Sequence, residues 1–184
     1  MSRTPRRELA AAPPSEAETL FCFPPLVSER TKLLCLGSFP GAASLAAQQY
    51  YAHPQNHFWP IMQAIWPAIP MAKDYASRCD WLQERGVGLW DVYASCSREG
   101  SLDRAIRNAV VNDFASLQAR CPKLQLIAHN GGESFRYAKV VRASLGQAHF
   151  PLIKLPSTSP ANASWSFARK LAAWQKAVQS AGLL

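Results

Sequence analysis

Four short apolar runs, each bounded by turn residues, constrain the fold of this chain more than any other feature. They span residues 32–36, 88–92, 124–129 and 150–155. Each run is too short for a core helix, and its largely apolar composition is typical of a strand that is buried on both faces. The sequence therefore predicts four buried strands, with segments between them that are long enough for helices.

Two of the other segments have helical periodicity. The first has apolar residues at four-residue spacing: Leu102, Ile106, Val110 and Phe114. Ser101 is its predicted N-cap. The second repeats the pattern near the C-terminus: Phe167, Leu171, Trp174 and Val178. Asn162 or Ser164 is the predicted N-cap of this helix, and Gly182 is expected to end it.

Strands that alternate with helices predict the α/β class, here a three-layer α/β/α fold around a central, mostly parallel four-stranded sheet. A chain of 184 residues that is 48% hydrophobic has the size of one domain, which we expect to span residues 20–184. Residues 1–19 are rich in proline, alanine and charge and are predicted to be a disordered tail. They contain no signal-peptide core or membrane span, so we expect a cytoplasmic protein without a membrane partner. We also expect the protein to be a monomer.

The cysteines and histidines do not form a recognisable metal site. The five cysteines are far apart, with no C-x-x-C pair, and no carboxylate lies near His53 and His57. Pro54 argues against a helix that would place these two histidines on one face. We therefore expect no metal and no cofactor, and we expect the cysteines to be buried as small apolar residues.

Positive charge is concentrated in the last third of the chain. From Arg120 onward there are nine lysines and arginines and a single acid, Glu133, and a second stretch without acids runs from Glu29 to Asp74. Such a distribution favours a surface that binds a polyanion such as DNA. On charge alone, a solvated basic face without a partner is an equally good interpretation.

Ligands of parallel α/β sheets bind beyond the carboxyl ends of the strands, so the segments after the predicted strands are the candidate site. Gly37, Pro40 and Gly41 after the first strand predict a sharp turn that brings bare backbone close to a ligand. The turn has neither the lysine of a P-loop nor the spacing of a serine-hydrolase elbow. Ser38 is therefore a poor candidate for a nucleophile.

Two further segments carry polar groups that suit a nucleotide. Tyr51 offers an aromatic face near the amide of Asn56, although Tyr51 could equally be core and Asn56 could cap the helix expected from Phe58. The segment 156–162 after the fourth strand has hydroxyls, backbone N–H groups and two prolines, which suit contact with phosphates. An ordinary strand-to-helix loop would have a similar composition.

The ordered runs GSFPG, SL, QQYYAHPQNHFW, GLWDV, SCSREGSLDRAIRN and LPSTSPANA resemble the hypoxanthine-DNA glycosylase family of the uracil-DNA glycosylase superfamily. The resemblance covers roughly residues 30 to 180. It implies an enzyme that flips a deaminated base, hypoxanthine or uracil, out of double-stranded DNA and hydrolyses its N-glycosidic bond. Mismatch-specific uracil glycosylases are similar in the turn, but they carry asparagine where this chain has Phe39.

Phe39 cannot position the attacking water, as the asparagine or aspartate of related families does. In the hypoxanthine family the asparagine of the HP-x-N motif is implicated in catalysis, and that residue corresponds to Asn56 here. An amide is not a useful general base at neutral pH, so Asn56 would orient the water while DNA phosphates and buried N–H groups stabilise charge.

The remaining assignments follow from position beside these motifs. The residues expected to contact the flipped base are Gly37, Ser38, Phe39, Tyr51, Asp91 and Asn130. Those expected to contact DNA are Lys154, Ser157, Thr158, Ser159, Pro160, Ala161, Asn162 and Arg169, with Lys170 adding charge beside them. A catalytic role and a solvated or helix-capping role both remain open for Asp91.

Two other functions compete with this interpretation. A nucleic-acid-binding module that keeps the fold without the chemistry would also tolerate Phe39. A small esterase would use Ser38 or Ser157 with His129 or His149, but only residue types favour it.

Overall fold

The computed structural model of the chain describes residues 18–146 and 151–184. Its strands are β1 (Thr19–Phe21), β2 (Leu33–Gly37), β3 (Val87–Asp91), β4 (Tyr93–Ser97), β5 (Arg107–Val111), β6 (Leu126–Asn130) and β7 (Leu152–Leu155). Its α-helices are α1 (Ala42–Ala47), α2 (Phe58–Ile65), α3 (Tyr75–Glu84), α4 (Leu117–Arg120), α5 (Gly132–Arg136), α6 (Ala138–Ser144) and α7 (Phe167–Ser180). The tail predicted for residues 1–19 lies almost wholly outside the described residues, and Thr19 already belongs to β1.

The central sheet contains four parallel strands in the order β3-β2-β6-β7, which confirms the predicted class and sheet. The four apolar runs supply these strands, whose ends agree with the predicted ranges to within two residues. Residues 147–150, where the fourth run was expected to begin, lie outside the described residues.

Alternate residues of the sheet face two separate apolar layers, as a fully buried strand requires. Leu33 and Cys35 of β2 pack in the layer that contains side chains of α2, α3 and α7. Leu34 and Leu36 pack in the opposite layer, with side chains of α4 and α6. The sheet is therefore covered on both faces, and its open ends are the places where a ligand can approach.

The helix predicted around Leu102 and Phe114 is wrong. Asp103–Ala105 forms one turn of 3-10 helix, and β5 then pairs antiparallel with β4 in a second sheet of order β1-β4-β5. Asn108 has a φ of 51°, which a right-handed helix does not allow. Val110 is exposed in this strand rather than buried on a helix face, so the four-residue spacing misled the prediction.

The predicted C-terminal helix is confirmed as α7, but its N-cap is a different residue. The hydroxyl of Ser166 accepts the N–H of Arg169 at 3.3 Å, whereas the amide of Asn162 donates to the carbonyl of Ser157. Gly182 has a φ of 65° just beyond the helix end, as expected for a C-terminal stop. Among the described residues no helix is both long and apolar enough to cross a membrane.

Candidate active site

The carboxyl ends of the parallel strands meet at one edge of the sheet, where they enclose a cleft of about 370 Å³. A volume of this size is typical of a small-ligand site. The cleft is lined by most of the residues that the sequence singled out: Gly37, Ser38, Phe39, Tyr51, Asn56, Asp91, Asn130, Ser157, Thr158, Ser159, Pro160, Ala161 and Asn162. Two predicted DNA contacts, Lys154 and Arg169, lie outside its lining.

Two polar groups without hydrogen-bond partners in the cleft come from β3 and from the segment after α1. Asp91 is 4% exposed, and its Oδ2 has no hydrogen-bond partner. The hydroxyl of Tyr51 is also buried without a partner. Gly37 lies opposite Asp91 in the register of β2 and β3, and a Cβ at position 37 would collide with Asp91 Oδ1. Glycine is therefore required here for the carboxyl to reach the cleft.

Burial raises the pKa of Asp91 to about 7. The charge of Arg98 opposes this shift and that of Asp103 adds to it. Burial, followed by the charge of Asp91, also raises the pKa of Tyr51 well above its usual value. Near neutral pH the cleft therefore contains a phenol that can donate and a carboxyl group close to its midpoint of ionisation.

Tyr51 is held in the cleft by an unusual backbone conformation. Its φ is 56°, which is a strained region for a bulky side chain. The Tyr51 ring stacks on Phe58 with centroids 4.2 Å apart and an interplanar angle of 23°. Phe39 differs from Tyr51, because the residue is buried and packs in the core layer opposite α2. The guanidinium of Arg98 lies 5.2 Å from the centroid of its ring. Phe39 thus contributes shape to the cleft rather than a polar group.

Asn56 lines the cleft and also bonds to the first residue of α2, one position before the N-cap His57. Its Oδ1 accepts the N–H of Phe58 at 2.9 Å, so the two interpretations that the sequence left open are compatible. A carbonyl oxygen has two lone pairs, and the hydrogen bond to Phe58 uses only one of them. This hydrogen bond therefore fixes the orientation of the amide and leaves acceptor capacity at Oδ1.

Reciprocal hydrogen bonds fix the loop 156–162 to the sheet and to α2. Asn130 Nδ2 donates to the hydroxyl of Thr158, and Thr158 N–H donates to Asn130 Oδ1, both at 2.9 Å. The N–H of His57 donates to the carbonyl of Thr158 at 3.0 Å. Thr158 is fully buried, whereas Pro160 and Ala161 are exposed at the loop tip. The side chain of Asn130 therefore positions this loop.

The basic residues beside the loop have two different environments. Lys154 and Arg169 are exposed, and the guanidinium of Arg169 lies 4.3 Å from the ring centroid of Trp165. Lys170, which we expected at the DNA-binding surface, is 1% exposed, and its Nζ donates to the carbonyl of Ser159 at 3.4 Å. Burial lowers the pKa of Lys170. The expected contact between Lys170 and DNA was therefore wrong, because Lys170 lies on the face of α7 that packs against the loop 156–162.

Sequence reasoning missed one wall of the cleft, formed by Ser101, Leu102 and Asp103. Three hydrogen bonds join the segment 98–103, which we call the β4 loop, to the turn after β2. Ser38 Oγ donates to Asp103 Oδ1 at 2.6 Å, Ala42 N–H donates to Ser101 Oγ at 2.8 Å, and Arg98 donates to the carbonyl of Pro40. The motif SCSREGSLD was visible in the sequence, but the predicted helix hid its position.

The described residues hold no group of three or more histidine, cysteine or acidic side chains that could bind a metal. Four of the five cysteines are buried, and Cys22 is partly exposed. His129 is fully buried and contacts the hydroxyl of Ser134 at 2.8 Å, which excludes it from an esterase arrangement with Ser38 or Ser157. His149, the other candidate for that role, lies outside the described residues.

Residues 24–179 match the family model of the uracil DNA glycosylase superfamily, and the chain belongs to this family. It is thus a DNA glycosylase, a hydrolase of N-glycosyl bonds whose substrate is DNA. Two similar curated proteins are each named hypoxanthine DNA glycosylase. One from Methanosarcina barkeri is 38% identical over 66% of this chain and 77% of its own length. One from Methanosarcina acetivorans is 37% identical over 78% of this chain and 89% of its own length.

A solved structure supports the same family. The solution NMR structure of a Methanosarcina acetivorans protein matches with a TM-score of 0.75 at 34% sequence identity. The match covers 90% of this chain and 99% of that protein. The recognition of the family from the motif order is confirmed.

Asp91 should make stability depend on pH. The folded state keeps the Asp91 proton up to about pH 7, whereas the unfolded chain loses it near the usual aspartate pKa of 3.8. This contribution to stability is complete below about pH 4 and is lost as pH rises through 7, a change of about 4 kcal/mol. D91N removes this dependence, so the unfolding free energy of D91N relative to wild type should rise between pH 4.5 and pH 8.

Denaturant unfolding of both proteins at the two pH values measures the effect. D80N is the matched control, since Asp80 is exposed on α3. An equal difference between D91N and wild type at both pH values would contradict the assignment.

Proposed function

We propose that this protein is a monofunctional glycosylase that excises hypoxanthine from double-stranded DNA after flipping the base into the cleft. The observation that carries the proposal is the pair of buried, unpartnered polar atoms, Asp91 Oδ2 and Tyr51 Oη, at a cleft of nucleobase size. Unpaired buried polar groups are costly unless a ligand satisfies them. Hypoxanthine offers a carbonyl oxygen and a ring N–H on one edge, and these groups can pair with both atoms.

Uracil presents the same carbonyl and N–H pattern, so polar contacts alone do not separate the two bases. The names of the two curated relatives favour hypoxanthine. The aromatic ring of Tyr51 supports the proposal, because a flipped base needs a flat surface to replace the stacking lost in the duplex. The reaction would take place in the cytoplasm on chromosomal DNA, and the protein would act as a monomer.

Asn56 is the proposed catalytic amide, because Phe39 is buried and brings no polar group to the turn. The Oδ1 of Asn56 would orient a water molecule toward the sugar carbon as the glycosidic bond breaks. Backbone N–H groups of the turn after Gly37 would stabilise charge on the departing base. Among the residues that the structure describes, none of those lining the cleft is a lysine. A Schiff-base intermediate needs an amine, so this lining favours hydrolysis by water.

Pro160 and Ala161 form the exposed tip of the loop 156–162 and are the proposed contact with the gap left by the flipped nucleotide. Lys154 and Arg169 would bind phosphates on either side. Asn130 and Thr158 would hold the loop rather than touch DNA, because their polar groups bond to each other.

A panel of duplexes tests the function. Purified protein is incubated with DNA that contains hypoxanthine, uracil, xanthine or only normal bases, and the released base and the abasic strand are measured. We expect release of hypoxanthine, with no enzyme trapped on the DNA by borohydride. Binding to all duplexes without base release would instead support the non-catalytic module.

N56A should lose both roles of the amide. We expect the single-turnover rate on the hypoxanthine duplex to fall by about a hundredfold, because orienting water acts mainly on the transition state. Stability should fall by about 1 kcal/mol, because the hydrogen bond from the Phe58 N–H at the start of α2 is lost. N56S is the control, since serine restores a capping oxygen without an amide. It should melt like wild type and remain slow; a fast N56S would assign Asn56 to structure alone.

DNA binding should weaken with salt through Lys154 and Arg169. Each phosphate contact contributes about 0.9 to the slope of log affinity against log salt concentration. The K154A/R169A double variant should therefore lower that slope by about 2 on undamaged duplex. K176A, which removes an exposed charge further along α7, serves as the control. Equal slopes for the double variant and wild type would remove these residues from the interface.

A further inference from the structure

The turn after β2 carries no carboxylate or amide, yet a carboxylate from elsewhere in the chain is attached to it. Phe39 occupies the third position of the turn and is buried in the core. The neighbouring Ser38 points the other way, and its hydroxyl donates to Asp103 Oδ1 at 2.6 Å. Both residues line the cleft.

Asp103 is held in place by more than this hydrogen bond. Ser101 accepts the first N–H of α1, and Arg98 donates to the carbonyl of Pro40, so the β4 loop is attached to the turn on both sides of Gly41. Asp103 begins the 3-10 turn that follows. Because the loop is anchored, little conformational entropy is lost when the Asp103 carboxylate is positioned. A catalytic group requires such a preorganised position.

We propose that Asp103 is a catalytic carboxylate of this glycosylase, positioned by Ser38, which supplies the charge and base that the turn itself lacks. The inference rests on the proposed function and extends it. Oδ1 of Asp103 is engaged by Ser38, so Oδ2 is the atom that accepts a hydrogen bond from the attacking water. Asn56 orients the same water through its amide.

The chemical step balances with these groups. The water oxygen bonds to C1′ of the sugar while the bond from C1′ to the base nitrogen breaks, and its electron pair leaves with the base. The proton released by the water passes to Asp103, and the departing base takes up one proton from solvent. As positive charge develops on the sugar, the negative charge of Asp103 stabilises it.

The electrostatic environment suits this role. Asp103 is exposed at the rim of the cleft, where desolvation raises its pKa and the hydrogen bond from Ser38 opposes the shift. A carboxylate whose pKa is raised in this way is a better proton acceptor than an ordinary aspartate. Asp91 is less suited to the role, because its buried, unpartnered Oδ2 is the atom proposed to pair with the flipped base.

The test compares D103N with E99Q in single-turnover reactions, with enzyme in excess over hypoxanthine duplex. Asparagine keeps an acceptor for Ser38 but cannot take a proton. Glu99 is exposed on the same β4 loop and outside the cleft, so E99Q removes one negative charge without touching the site. We expect D103N to be slower by about a hundredfold. E99Q should stay within about twofold of wild type, and both variants should bind DNA at least as tightly.

A D103N rate within about threefold of wild type would overturn the inference and leave the proposed function intact. Wild-type protein that releases no base from any duplex would overturn the proposed function and this inference with it. S38A supplies a second measurement, since Ser38 acts through Asp103. S38A should slow the wild-type enzyme but should cause no further loss of rate in the D103A variant. An equal loss of rate in both backgrounds would contradict the positioning role.

Discussion

The register between β2 and β3 is the constraint on which the cleft depends. It places Gly37 opposite Asp91 at the last pair of the ladder, where the missing Cβ leaves room for a carboxyl oxygen. A shift of β3 by one residue would turn its core side chains toward the wrong layers. The two apolar layers on either side of the sheet therefore hold this register, and core packing and the geometry of the site cannot vary independently.

Around this pair, the walls of the cleft are made rigid by hydrogen bonds between loops that are distant in sequence. The β4 loop is attached to the turn after β2 through Ser38 and Asp103. The loop 156–162 is attached to β6 through Asn130 and Thr158. These bonds use polar side chains that could otherwise contact a ligand. Their effect is a preformed cleft, so little conformational entropy remains to be lost when a nucleotide enters.

Several groups that line this cleft lower the stability of the folded protein. A buried carboxyl group, a buried phenol without a partner and a strained backbone at Tyr51 each raise the free energy of the folded state. The apolar layers compensate for these costs, with residues such as Trp174 and Phe58 fully buried. Unfavourable groups gathered at one cleft are typical of sites that are optimised for a ligand rather than for stability.

The sequence by itself determined the sheet, the order of the motifs and most residues of the cleft. Buried strands and glycine turns are local signals, and parallel topology brings the ends of the strands to one edge. Only the tertiary structure decided how polar groups are used, because their partners are distant in sequence. In the folded chain the Asn130 amide bonds to Thr158, and Lys170 is buried with its Nζ on the carbonyl of Ser159. Residues 107–111 form a strand because they pair with β4. Asp103 joined the cleft for the same reason: its partner, Ser38, lies 65 residues away along the chain.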